Sequence, residues 1–197
     1  SDTDTDTDTD TDTDADTDSD TDTDTDADTD TDADCPPPPE SCTNGAQSRA
    51  GCANARIIGR AGAEGAPGFS ISDDTCSASD SFDDSSGCWD ANADHTYRLY
   101  MLEGESVWIH YETFDPCNTE EWIWYGTLKI FENSGCADTT CANKVHCEYN
   151  ETDQSTTYVA PRDGWIVIVA DGSSAFDDEG DYELTVQLTC AAAGCGC

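Results

Sequence analysis

Carboxylates, hydroxyls and thiols carry most of the chemistry available to this sequence. Asp90, Asn92 and Asp94 alternate with alanine, which sets three oxygen donors at the spacing that opens an EF-hand loop. The glycine such a loop needs next is His95 and its twelfth-position glutamate is Met101, so the segment is not an EF-hand. A second acidic group comprises Asp171, Asp177, Asp178, Glu179 and Asp181, and a third Asp73, Asp74, Asp83 and Asp84. Ca²⁺ is the cation such oxygens suit, with Asp90, Asn92, Asp94, Asp171, Asp177 and Asp178 as its expected ligands; Asx turns and strand caps are the alternative. Catalysis finds little to work with. His95, His110 and His146 stand in unrelated contexts, and no nucleophile elbow, phosphate loop or His-Glu-x-x-His occurs. Adjacent acids such as Glu120-Glu121 are more often solvated turns than a glycosidase pair. The expectation is a non-enzyme that requires no cofactor.

The thiols set the compartment. All 12 cysteines lie beyond residue 34, and none shows the two-residue spacing of zinc knuckles. Disulfides are the reading, which places the protein outside the reducing cytosol, extracellular or on a cell surface. Short loops point to Cys76–Cys88 and Cys136–Cys141, with Cys117–Cys147 as a third bridge. Cys195 and Cys197 are expected to reach separate, distant partners, since bridging each other would strain a tiny ring.

Residues 1–34 carry Asp at every even position, so 17 of the chain's 44 acids lie there with none of its seven bases. Period two puts all Asp on one face of an extended chain, and neither face is apolar, so this segment builds no core. Neighbouring carboxylates would stand ~6.7 Å apart, repelling by ~0.6 kcal/mol in water and favouring an extended span of ~110 Å. The hydroxyls at Thr3, Thr5, Thr7, Thr9, Thr11, Thr13, Thr17, Thr21, Thr23, Thr25, Thr29 and Thr31 have the density of an O-glycosylated stalk. Ca²⁺ on the Asp face, or burial between subunits, are the other means of stiffening it. Residues 35–42 contain four consecutive prolines between Cys35 and Cys42, a stiff polyproline joint. Asn150-Glu-Thr152 is an N-glycosylation sequon.

Residues 43–197 must then hold the folded domain. With the tail's 17 acids and Glu40 of the joint set aside, they keep a net charge of −19. Such a surface repels nucleic acid and anionic membrane, and no run of 18 apolar residues is present to insert into a bilayer. No secretory signal is present, so a secreted chain is expected in its mature form. Ala55–Ile58 reads as a first strand. Thr96–Leu102 sets Tyr97, Leu99 and Met101 against Arg98 and Tyr100. Val107, Ile109 and Tyr111 share a face opposite Trp108 and His110. Trp122–Phe131 puts Trp124, Leu128 and Ile130 on one side. Trp165–Val169 is a short apolar run suited to a buried strand, and Asp181–Thr189 alternates most clearly. No helical period stands out. The expected class is all-β, an antiparallel β-sandwich of jelly-roll-like form. Trp108, Trp122, Trp124 and Trp165 lie in strands, where core packing is the reading for at least two of them; an exposed pair at Trp122 and Trp124, stacking on sugar rings or on a neighbouring subunit, is the alternative.

Five segments in order (Asp94-His-Thr-Tyr-Arg-Leu, Glu103-Gly-Glu-Ser-Val-Trp-Ile, Gly126-Thr-Leu-Lys-Ile-Phe, Asp163-Gly-Trp-Ile-Val-Ile-Val and Gly180-Asp-Tyr-Glu-Leu-Thr-Val) resemble the bacterial pre-peptidase C-terminal domain. The resemblance covers roughly residues 75–190. It implies a β-sandwich of secreted bacterial proteins, used in adhesion, in matrix or polysaccharide binding, or as an accessory to an exported enzyme. The departures are the extra cysteines and the lack of an attached peptidase. Together these readings give a structural subunit of an extracellular glycosylated fibre, partnered by copies of itself. The alternative is a secreted polysaccharide- or matrix-binding module on an acidic stalk.

Overall fold

The computed structural model describes residues 49, 51–76, 78, 88, 93–116, 124–133, 141, 143–172 and 179–191. The Thr-Asp repeat, the proline joint, Asp90, Asn92, Cys117, Trp122, Cys136, Asp177, Asp178, Cys195 and Cys197 lie outside the described residues. Within them, nine strands form two sheets. β1 (Arg56–Ile58), β3 (Asp94–Met101), β8 (Gly164–Gly172), β5 (Gly126–Asn133) and β6 (Asn143–Glu151) lie in that order in a five-stranded sheet. β2 (Phe69–Asp74), β9 (Gly180–Thr189), β4 (Ser106–Pro116) and β7 (Asp153–Val159) make a four-stranded one. Every pairing is antiparallel except β1 with β3, which run parallel. One helical turn, α1 (Arg60–Ala63), follows β1. The all-β sandwich read from the sequence is the fold observed.

Period-two alternation builds the core between the sheets. Tyr97, Leu99, Leu128, Ile130, Ile166 and Ile168 face inward from one sheet, and Val107, Ile109, Tyr111, Leu184 and Val186 from the other, all 0–2% exposed. β5 passes so close to β4 that a Cβ on Gly126 would stand 2.4 Å from Tyr111 Cε1, so only glycine fits there. β6 and β7 are nearly one continuous run that changes sheet at Thr152. At that corner the Gln154 amide behaves as a spare peptide group: its Oε1 accepts from Leu128 N–H at 3.0 Å, and its Nε2 donates to Gly126 O at 2.7 Å and Glu151 O at 3.1 Å. It fills the gap where the β5–β6 register shifts between Gly126 and Thr127.

The outward faces of the two sheets differ. In the five-stranded sheet Val167, Val169 and Phe131 point away from the main core and are nevertheless buried, packed with Cys52, Ala55 and Cys141. The chain around Cys52 straps that face, which is why β8 is apolar on both sides. Two bridges fasten the covering: Cys52–Cys141 and Cys88–Cys147, with Cα separations of 6.0 and 6.3 Å. The short-loop pairings Cys76–Cys88 and Cys136–Cys141, and the third bridge Cys117–Cys147, are therefore corrected. β6 carries Cys147 opposite Lys129 of β5, beside the outer covering and away from its sequence neighbours. Cys76 is disulfide-bonded, to a cysteine other than Cys88.

Candidate functional site

Among the described residues nothing covers the outward face of the four-stranded sheet in this way. Alternation along β4 sends Trp108 and His110 outward while Val107, Ile109 and Tyr111 fill the core. Trp108 is 39% exposed, and its indole lies parallel to the His110 imidazole, 5.5 Å between centroids and 5° between planes. His110 Nε2 sits 2.9 Å from Asp153 Oδ1 on β7, which fixes the imidazole and hence the surface on which the indole rests. Because β4 is an inner strand, each ring has neighbours on both sides. Trp108 stands between Thr157 of β7 and Gln187 of β9, and His110 between Ser155 and Thr185. The next step along the face is acidic, with Glu112 between Asp153 and Glu183. This is a flat aromatic stripe edged by neutral hydroxyl and amide groups, and among the described residues no nucleophile and base are set into a cleft there.

Sequence reasoning placed Trp108 and His110 opposite the core, and that is where they are. For Trp124 it left two roles open, core packing or an exposed pair with Trp122. Trp124 is fully buried, donating from Nε1 to Asp181 O at 3.1 Å and meeting Tyr111 edge-on. Trp124 stands just ahead of β5, outside any strand, and its side chain joins the core.

A second polar constellation lies inside. Tyr97 of β3 and Tyr182 of β9 meet hydroxyl to hydroxyl across the sandwich. His95 Nδ1 is 2.8 Å from Tyr182 Oη, and Arg49 Nη1 donates to Tyr97 Oη at 3.3 Å while pairing with Asp73 of β2. Burial first, then the nearby Arg49 guanidinium, hold His95 down at about 4, so it is neutral at pH 7. Burial likewise pushes the Tyr182 phenol far above its ordinary range. The chain ties both sheets to the segment at Arg49. Its buried groups find partners in one another, so its role is structural.

The acids read as cation ligands divide. Asp94 of β3 and Asp171 of β8 come from different sequence clusters, yet they are direct cross-strand partners, both buried on the covered face. Lys129 Nζ lies 2.6 Å from Asp171 Oδ2, with both side chains 0% exposed, so an ammonium supplies positive charge at this point. Among the described residues no three His, Cys, Asp or Glu side chains converge as a metal site. A second buried pair, Arg60 with Glu105, is bidentate at 2.7 and 2.6 Å and takes in Leu102 N–H, tying α1 to the β3–β4 turn. Sequence reading missed it; an arginine in a glycine- and alanine-rich stretch gave no sign of burial. Among the described residues no helix is long and apolar enough to cross a membrane.

No protein-family model matches this sequence, and no curated protein does. Among solved structures the chain is similar to the pre-peptidase C-terminal domain of a collagenase from Bacillus anthracis, with 13% identity and a TM-score of 0.41 over 68% of this chain and 94% of that one. It is similar to a surface-associated copper-binding protein of Methylomicrobium album, with 6% identity and a TM-score of 0.40 over 68% and 98%. It is also similar to a periplasmic inhibitor of g-type lysozyme from Aeromonas hydrophila, with 13% identity and a TM-score of 0.37 over 61% and 83%. The first of these is a domain of the kind that the sequence's five ordered motifs resemble.

Proposed function

We propose that this chain is a non-catalytic structural subunit of an extracellular fibre or surface appendage, arranged in series with copies of itself. The observation that carries this reading is the placement of Arg49 and Thr189 at opposite ends of the sandwich. Arg49 pairs with Asp73, which stands opposite Tyr182 in β9. Thr189, the last residue of β9, lies seven residues further along that strand, ~24 Å away. Arg49 thus stands toward one end of the sandwich and Thr189 toward the other, and connections at opposite ends would suit heterologous contacts that repeat without closing. An acidic Thr-Asp segment before each bead would space the subunits and keep filaments from bundling. The disulfides support an oxidising, extracellular setting. O-glycans on Thr3 to Thr31 and Ca²⁺ on the Asp face belong to the same proposal.

Electron microscopy of untreated material tests it. Regular filaments whose axial repeat changes on deletion of residues 1–34 are expected; dispersed monomers at high concentration overturn it. An intact mass equal to the 21.1 kDa of the polypeptide removes the glycans. A second reading, a secreted module that holds polysaccharide or matrix, is favoured by the exposed aromatic stripe on β4.

A further inference from the structure

We infer that the outward face of the four-stranded sheet is a platform for a neutral polysaccharide, with Trp108 as its stacking surface and Gln187, Thr185, Thr157 and Ser155 as its hydrogen-bonding margins. This rests on the second reading above and gives it a site and a ligand class. Isolated apolar side chains on a surface need no explanation. Trp108 is different because its orientation is built: the indole is stacked on His110, and His110 is held by Asp153. An indole fixed in this way offers a broad apolar surface at little cost in side-chain freedom. The C–H face of a pyranose ring is the complementary surface, and its ring-edge hydroxyls reach sideways. Sideways from Trp108 are Thr157 on one strand and Gln187 on the other; sideways from His110 are Ser155 and Thr185. All four are neutral and offer both donors and acceptors, as sugar hydroxyls do.

Charge selects the class of glycan. The chain has seven cations in all, and none is on this face. Arg49 is on Asp73, Arg60 on Glu105, Lys129 on Asp171 and Arg162 on Glu132. Arg98 donates to Cys52 O, Arg56 lies over the Phe69 ring, and Lys144 is on β6 of the other sheet. Glu112, Asp153 and Glu183 close one end of the face. A uronate, sulfated or phosphorylated polymer would meet only negative charge there, whereas a neutral chain would not be repelled. An open, flat sheet face suits an extended polymer better than a small molecule, which needs a concave pocket.

The test uses the full chain in affinity electrophoresis through gels carrying a soluble neutral β-glucan, a neutral xylan, a neutral mannan or polygalacturonate. At least one neutral polymer is expected to retard the protein, equally at low and high salt. Trp108→Ala should weaken that retardation at least about fivefold, and Trp108→Phe should restore part of it. Trp108 lies outside the core, so the variant should keep its far-UV spectrum and unfolding midpoint. Retardation that Trp108→Ala leaves unchanged overturns the site while sparing the polysaccharide reading. Retardation by polygalacturonate alone, or binding that salt abolishes, overturns the neutral class. No retardation by any of the four overturns both the site and the polysaccharide reading. Self-association lost in Trp108→Ala, in a protein that no glycan retards, would make the face a contact between copies and overturn the inference as well.

Discussion

Replacing Lys129 with methionine tests whether the covered face of the five-stranded sheet depends on an internal charge pair. Methionine keeps most of the lysine stem, so the change leaves little cavity and removes mainly the cation. The ammonium lies 2.6 Å from Asp171 Oδ2, and neither side chain has any exposure. Asp171 also faces Asp94 directly across the β3–β8 pair, so the substitution removes a cation beside two buried acids. Breaking a buried pair on one side costs about 3–5 kcal/mol, a large part of the ~5–15 kcal/mol by which domains are stable. An exposed pair would cost no more than about 1 kcal/mol. Guanidinium unfolding at pH 7, followed by far-UV dichroism, reads the difference as a lowered midpoint at unchanged slope. Adding Asp171→Asn to Lys129→Met should recover most of the loss, because the stranded charge is then gone. A single variant costing under about 1 kcal/mol, or a double variant as unstable as the single, would refute the reasoning.

Three further outcomes are expected. His95 is held at about 4 when folded against about 6.5 unfolded, so its contribution is complete above pH 6.5 and is lost as pH falls toward 4. Stability should drop by on the order of 2–3 kcal/mol over that window, and His95→Leu should flatten the slope between pH 6.5 and 5 in urea titrations; an unchanged slope contradicts the assignment. The bridges Cys52–Cys141 and Cys88–Cys147 close loops of 89 and 59 residues, so serine replacement of either pair should cost about 4–5 kcal/mol by chain entropy, with less than additive loss for both. Peptide mapping without reduction must recover these two linkages. Gln154→Ala should cost about 2–4 kcal/mol, since it leaves the Leu128 N–H and Gly126 C=O buried without their partner, and hydrogen exchange at Leu128 should rise sharply.

What the sequence disclosed follows from how local each cause is. Tyr97, Leu99 and Met101 in β3 and Tyr182, Leu184, Val186 and Leu188 in β9 alternate because each strand meets the core on one side, and alternation is visible within seven residues. Trp165–Val169 read as a buried run because the strap covers its second face, although nothing local named the strap. β6 and β7 gave no sign. They are edge strands in which, among the described side chains, Gln154 alone is fully buried, and a buried amide with three partners looks from sequence like a surface residue. β2 was missed for a related reason: Phe69 and Ile71 are only partly buried at the sandwich margin. The disulfides could not be read from spacing, because Cys141 and Cys147 travel with β6 to the far side of β5.

The candidate site divides along the same line. That Trp108 and His110 share a face away from the core is fixed by alternation within β4, and it was legible there. That the face is neutral around them and acidic beyond is not a property of β4 at all. It depends on Thr157 and Ser155 arriving from one neighbour and Gln187 and Thr185 from the other, in an order, β2-β9-β4-β7, that joins strands distant in sequence. A one-residue slip of β9 would bring Leu188 and Val186 outward and replace the hydrogen-bonding margin with an apolar one. The buried alternation of β9 opposes that slip, because every inward residue from Tyr182 to Leu188 would have to leave the core. The packing that stabilises the sandwich is therefore also what keeps the chemistry of its open face in place.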